Sequence, residues 1–166
     1  MNAAQLQQIA RTAGWPENLL VTIAAIALAE SSGILTKHNT VPPDDSYGLW
    51  QINMIGKLGP ARRQLFGIAT NSALYDPLTN ARAALAIYQQ QGLRAWSTYL
   101  YGQYKKWLPQ SQAAYAASGA VPQDITADGG PQTVGATVND SIALPKNVGP
   151  LLLLGMAGLG LYLWLR

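Results

Sequence analysis

The stretch Leu19-Leu20-Val21-Thr22-Ile23-Ala24-Ala25-Ile26-Ala27-Leu28-Ala29-Glu30-Ser31-Ser32-Gly33 decides the fold. Its apolar residues leave no polar stripe, so a helix over this stretch is buried on every side rather than laid on a surface. Glu30 closes it, and the chain has one other glutamate, Glu17. A carboxyl group held against an apolar wall resists ionisation, because desolvation disfavours the charged form. A carboxyl kept protonated near neutral pH can donate its proton to a leaving group. The alternative is an idle carboxylate at an exposed helix end. Further on, Ser46-Tyr47-Gly48-Leu49-Trp50-Gln51-Ile52-Asn53 brings hydroxyl, amide and aromatic groups suited to gripping a sugar. Together the two segments point to cleavage of a polysaccharide.

Working outward, residues 1–118 read as helical. Asn2 and Gln5 have the spacing of a capping box, and Leu6, Ile9, Ala10 and Ala13 continue a helical stripe that Gly14 stops. Trp15-Pro16-Glu17 predicts the start of the buried helix, which runs to about Ser32. Residues 33–46 read as a loop, and Tyr47 to Asn53 as a short strand or an irregular turn. Pro60 to Phe66 predicts a short helix. Asp76-Pro77 opens another that runs to Gly92, with Asp76 as cap. Residues 94–118 predict one or two more, broken near Gly102 and Pro109.

Two further regions follow. Residues 119–147 are rich in Gly, Pro, Thr, Asp and Ala and lack aromatic residues, so they read as a disordered linker spanning about 30 Å. Residues 149–165 are apolar throughout, flanked by Lys146 and Arg166, with Tyr162 and Trp164 near one end. As a helix they measure about 25 Å, which fits a single C-terminal transmembrane anchor over 148–166. The alternative is a core helix of a soluble fold. Met1-Asn2-Ala3-Ala4-Gln5 lacks the basic region and apolar core of a secretory signal.

Composition narrows the chemistry. Charged residues make up 11% of the chain, which contains no cysteine and one histidine, His38. Thiolate metal sites, a three-histidine zinc site and an HExxH site are excluded, and neither a metal nor a cofactor is expected. Residues 1–118 hold nine basic against five acidic residues, a mild excess that favours anionic polymers. No dense basic stripe or nucleic-acid motif is present, so nucleic acid is not the expected partner.

Glu30-Ser31 after an apolar helix, followed by Gly48-Leu49-Trp50-Gln51-Ile52-Asn53, resembles the lytic transglycosylase family with the lysozyme-like fold. Asn80-Ala81-Arg82-Ala83-Ala84 is similar to a later helix of that family. Ala95-Trp96-Ser97-Thr98-Tyr99-Leu100-Tyr101-Gly102 partly matches its last motif, with Leu100 where an asparagine is expected. The run from Glu30 to Tyr104 is also similar to wall-degrading domains of phage particles.

The resemblance implies a mainly α, lysozyme-like domain over 1–118 that cleaves the bond between N-acetylmuramic acid and N-acetylglucosamine in peptidoglycan. Glu30 would act as acid and then base, leaving a 1,6-anhydro product. Hydrolysis instead would need a second carboxylate, for which Asp44, Asp45 and Asp76 are the candidates. Asp76 reads better as a helix cap, and Asp44 and Asp45 as turn residues. Ser31, Ser46, Tyr47, Gly48, Gln51, Asn53, Trp96 and Tyr99 are the candidate substrate contacts, with Tyr99 expected to hold Glu30 through a hydrogen bond. Each has a plainer role: backbone-satisfied amide for Gln51, packing for Tyr99, core for Trp96 and Trp50, turn or helix end for the serines. A domain without an export signal that carries a C-terminal anchor suits a virion component. Such a protein is made in the cytoplasm, seated in a viral membrane or channel beside other virion proteins, and opens the wall for genome entry. A late lysis enzyme, a bacterial inner-membrane enzyme and an inactive anchored protein on the same fold are the alternatives.

Overall fold

In a computed structural model of the chain, residues 1–119 are described. The expected linker over 119–147, apart from its first residue, and the expected anchor over 148–166 lie outside the described residues. Among the described residues no helix is long and apolar enough to cross a membrane.

Helix α1 (Ala3–Thr12) opens on the capping box: Asn2 accepts from the Gln5 amide, and the Gln5 side chain accepts from the Asn2 amide, both at 3.0 Å. Gly14, at φ 92°, makes the left-handed step that ends it. The buried helix begins later than Trp15-Pro16-Glu17 suggests. Pro16 is extended at ψ 137°, a 3-10 turn covers Glu17–Leu19, and α2 runs Leu20–Ser31. Every residue from Leu20 to Leu28 is buried. α2 packs against α1, against α6 (Leu108–Ala117) and against the 3-10 turn Gln103–Trp107. Surrounded in this way, it has no face on which polar residues could sit.

Residues between α2 and α3 (Leu58–Phe66) form a small antiparallel sheet of three two-residue strands: β1 (His38–Asn39), β2 (Ser46–Tyr47) and β3 (Ile52–Asn53). The segment read as strand or turn is both, two strands joined by a turn. Asn39 lies opposite Ser46, and Ser46 opposite Asn53, so three polar side chains form one row across the sheet.

Helix α4 (Pro77–Gln91) starts as the sequence indicates, with Asp76 accepting from the Thr79 amide at 2.8 Å. α5 is one turn, Ser97–Leu100. Gly102 breaks the chain at φ 72°, whereas Pro109 sits in the first turn of α6 and starts that helix rather than ending one. A proline there lacks only an N–H that would have no helical acceptor.

The sheet is tied to the helices by Asn80 of α4, which is fully buried. Its Oδ1 accepts from the Trp50 amide, and its Nδ2 donates to the carbonyls of Tyr47 and Leu74, at 2.9–3.0 Å. Trp50 Nε1 donates to the Ile23 carbonyl of α2, and Trp96 Nε1 donates to the Trp50 carbonyl. Both of these indole N–H groups thus have an acceptor, whereas Trp107 Nε1 is buried without one. Gly48 permits the close approach: at φ 75°, a Cβ there would meet Asn80 Nδ2 and the Leu74 carbonyl oxygen at 2.4 Å. Gly48→Ala therefore combines a clash with left-handed backbone strain. It should destabilise the domain by about 3 kcal/mol, read as a lower midpoint in urea unfolding.

Candidate active site

Glu30 sits in the last turn of α2, where the buried helix first reaches the surface, and is itself half-buried. Thr98 Oγ1, from α5, donates to Glu30 Oε1 at 2.6 Å. Burial pushes the Glu30 carboxyl up to about 7. The Thr98 hydrogen bond pulls against this, the nearby charge of Asp44 pushes further upward, and the Thr98 amide adds a smaller downward pull.

Asp44 lies just before β2 and is held by the polar row of the sheet. Its Oδ1 accepts from Ser46 Oγ at 2.8 Å and from Asn53 Nδ2 at 3.1 Å, and its Oδ2 accepts from Asn39 Nδ2 at 3.0 Å. Three donors converge on a group with a full set of acceptor positions, the arrangement that suits a carboxylate. A cation from α3 anchors the row's far end: Arg62 Nη1 donates to the Asn53 carbonyl. Asp44 thus acts electrostatically on Glu30 from different surroundings: Glu30 lies against the apolar end of α2, Asp44 in a cradle of amides and a hydroxyl.

The other expected contacts are placed differently. Ser31 is buried, donates to the Ala27 carbonyl at 2.9 Å and accepts from the Gly33 amide, so its hydroxyl finishes the helix. Ser46 and Asn53 are in the site, but as braces of Asp44. Gly48 is a packing requirement. Gln51, at φ 45°, spends its side-chain amide on the carbonyls of Lys37 and Gly48. Tyr47 points to the opposite face of the sheet from Ser46 and stacks on His38 with ring centroids 4.1 Å apart. His38 in turn meets Asp45 at 2.8 Å. Trp96 is core, 4% exposed. Tyr99 stacks on Tyr104 at 4.9 Å, and Thr98 rather than Tyr99 donates to Glu30.

Sequence reasoning missed Thr98 as Glu30's partner and Asn39 as a brace, and it set Asp44 aside as a turn residue. The alternation from Asp44 to Ser46 was the one signal available, since residues two apart share a face in a strand. Among the described residues no group of His, Cys, Asp or Glu could hold a metal ion.

Residues 7–98, more than half the chain, match the family described as the Lysozyme like domain. The chain belongs to that family. Among similar proteins, Lysozyme E of Drosophila melanogaster is 33% identical over 110 residues, covering 61% of this chain and 76% of its own. Lysozyme D of the same fly is 32% identical over 117 residues, covering 66% and 81%. Lysozyme P is 35% identical over 96 residues, covering 53% and 67%. No solved structure matches the chain. Within this lysozyme-like domain the matched region contains Glu30, Asp44, the sheet and Thr98.

Burial of Glu30 has a consequence for stability. Its folded-state pKa lies above its unfolded value of 4.5, so the folded state holds the proton more tightly. The stability this contributes is complete below pH 4.5 and is lost as pH rises through about 7. Glu30→Gln removes the titration. Relative to wild type, the variant should gain on the order of 2–3 kcal/mol between pH 4 and pH 8, measured by denaturant unfolding at both.

Proposed function

We propose that the protein is a peptidoglycan-cleaving enzyme in which Glu30 is the proton donor and Asp44 the second carboxylate, working as a muramidase. The observation that carries this reading is the Asp44 cradle: Asn39, Ser46 and Asn53 all aim donors at one carboxylate that acts electrostatically on Glu30. Family membership and the fly lysozymes support a glycan as substrate.

The chemistry follows from the two environments. Glu30, still protonated near neutral pH, gives its proton to the oxygen between two sugars as that bond breaks. Positive charge develops at the sugar carbon, and the fixed Asp44 carboxylate stabilises it or bonds to it. Glu30, now ionised, takes a proton from an incoming water whose oxygen bonds to the sugar carbon, which releases Asp44 and returns both groups to their starting state. The mild excess of basic residues favours association with an anionic wall.

A second reading, lytic transglycosylation, is favoured by the Glu30-Ser31 and Gly48–Asn53 motifs. There Glu30 alone serves as acid and base and the product carries a 1,6-anhydro end. The two readings part at Asp44. Under the first, Asp44→Asn should lower kcat by about 100-fold or more and mass spectrometry of digests should show reducing ends. Anhydro ends, with Asp44→Asn near full activity, would establish the second. Glu30→Gln should lower kcat by about 1,000-fold or more under either; unaltered digestion would remove both.

Its setting in a phage particle, held by residues 149–165, is proposed on the resemblance to phage wall-degrading domains. Mass spectrometry of purified virions tests it, and absence of the chain from them would overturn an entry role.

A further inference from the structure

Thr98 sits deeper than the acid it touches. The residue is 7% exposed, its Oγ1 donates to Glu30 Oε1 at 2.6 Å, and its own backbone belongs to α5, the single helical turn Ser97–Leu100. Oε1 is therefore the inward oxygen of Glu30, and the half-exposed side of the carboxyl is left to Oε2. A carboxylic acid carries one proton and can hold it on either oxygen. Only a proton on the outward oxygen can reach a glycosidic oxygen that approaches from solvent. A hydroxyl that keeps donating to Oε1 occupies that oxygen as an acceptor, and so leaves Oε2 to carry the acid proton.

We infer that Thr98 is a positioning residue: its hydroxyl reserves Glu30 Oε1 as an acceptor and thereby confines the catalytic proton to Oε2. The inference rests on Glu30 being the acid of the proposed reaction, and it names the group that orients it. The Thr98 backbone amide also donates to Glu30, more weakly than the hydroxyl, and both Thr98→Val and Thr98→Ser keep it.

Donation in this direction stabilises the ionised form of Glu30, and removing it should raise the titration midpoint. Donation the other way, from Glu30 to Thr98, would stabilise the neutral form, and its removal would lower the midpoint. The sign of the change therefore decides the matter. With only Glu17 and Glu30 in the sequence, protein carrying carbon-13 at the glutamate carboxyl gives two resonances. Glu17, paired with Arg11 at 2.6 Å and held below the usual carboxylate range by that hydrogen bond, is the internal reference.

The experiment is NMR titration of the full chain as wild type, Thr98→Val and Thr98→Ser, with pH–activity profiles on peptidoglycan beside it. In Thr98→Val the Glu30 midpoint should rise by roughly half to one unit while Glu17 stays put. At pH 6 the variant's kcat should fall by about 3- to 10-fold with KM little changed, since the acid is present but misdirected. Thr98→Ser, which keeps the hydroxyl, should restore midpoint and kcat to near wild-type values. An unchanged or lowered midpoint in Thr98→Val would overturn the inference, and so would failure of the serine variant to recover it while remaining folded. Should wild type prove inactive on peptidoglycan, the proposed function fails by itself, and the titration still reports the direction of the Thr98–Glu30 hydrogen bond.

Discussion

Helix α2 is enclosed from Leu20 to Leu28, and the carboxyl of Glu30 lies where that enclosure ends. A helix buried all round needs neighbours on every side, and the other helices are disposed to supply them: α1, α6 and the turn Gln103–Trp107 cover its flanks. The same enclosure withholds water from one side of Glu30, and burial is the leading cause of its raised pKa. Packing and acid chemistry are two results of one constraint. The same burial costs the domain some stability as pH rises through about 7.

The small sheet contributes the opposite environment. Its strands are two residues long and too short to stand alone, so Asn80 and the indoles of Trp50 and Trp96 hold them to the helical core. What the sheet offers in return is a straight row of Asn39, Ser46 and Asn53, with Asp44 across it. Ser46 and Asn53, candidate sugar contacts in the sequence, donate here to the Asp44 carboxylate. Gly48 and Gln51 likewise go to the turn that allows the sheet to meet α4.

The local features of the fold were legible wherever a residue acts on its immediate neighbours. The Asn2 capping box, the stop at Gly14, the Asp76 cap and the break at Gly102 all depend on a few adjacent backbone groups. The start of α2 and the role of Pro109 were read less well, because proline's fixed φ suits a helix start, a 3-10 turn or a break alike, and packing chooses among them. Trp96 shows the same limit. A tryptophan's surface suits a sugar or a core equally, and here the Trp50 carbonyl claimed its N–H.

By itself the sequence determined that a buried helix would end in a carboxyl group, since an apolar run without a polar face can pack only inside and Glu30 directly follows it. It also determined that no thiolate site or three-histidine metal site could form, there being no cysteine and one histidine. Tertiary structure alone decided which groups meet that carboxyl. Thr98 is 68 residues away along the chain from Glu30, and the braces of Asp44 come from three strands whose register is set by pairing rather than by composition. Hydrogen bonds and charge interactions act over a few ångströms of space, and only folding brings residues so far apart in the chain within that range.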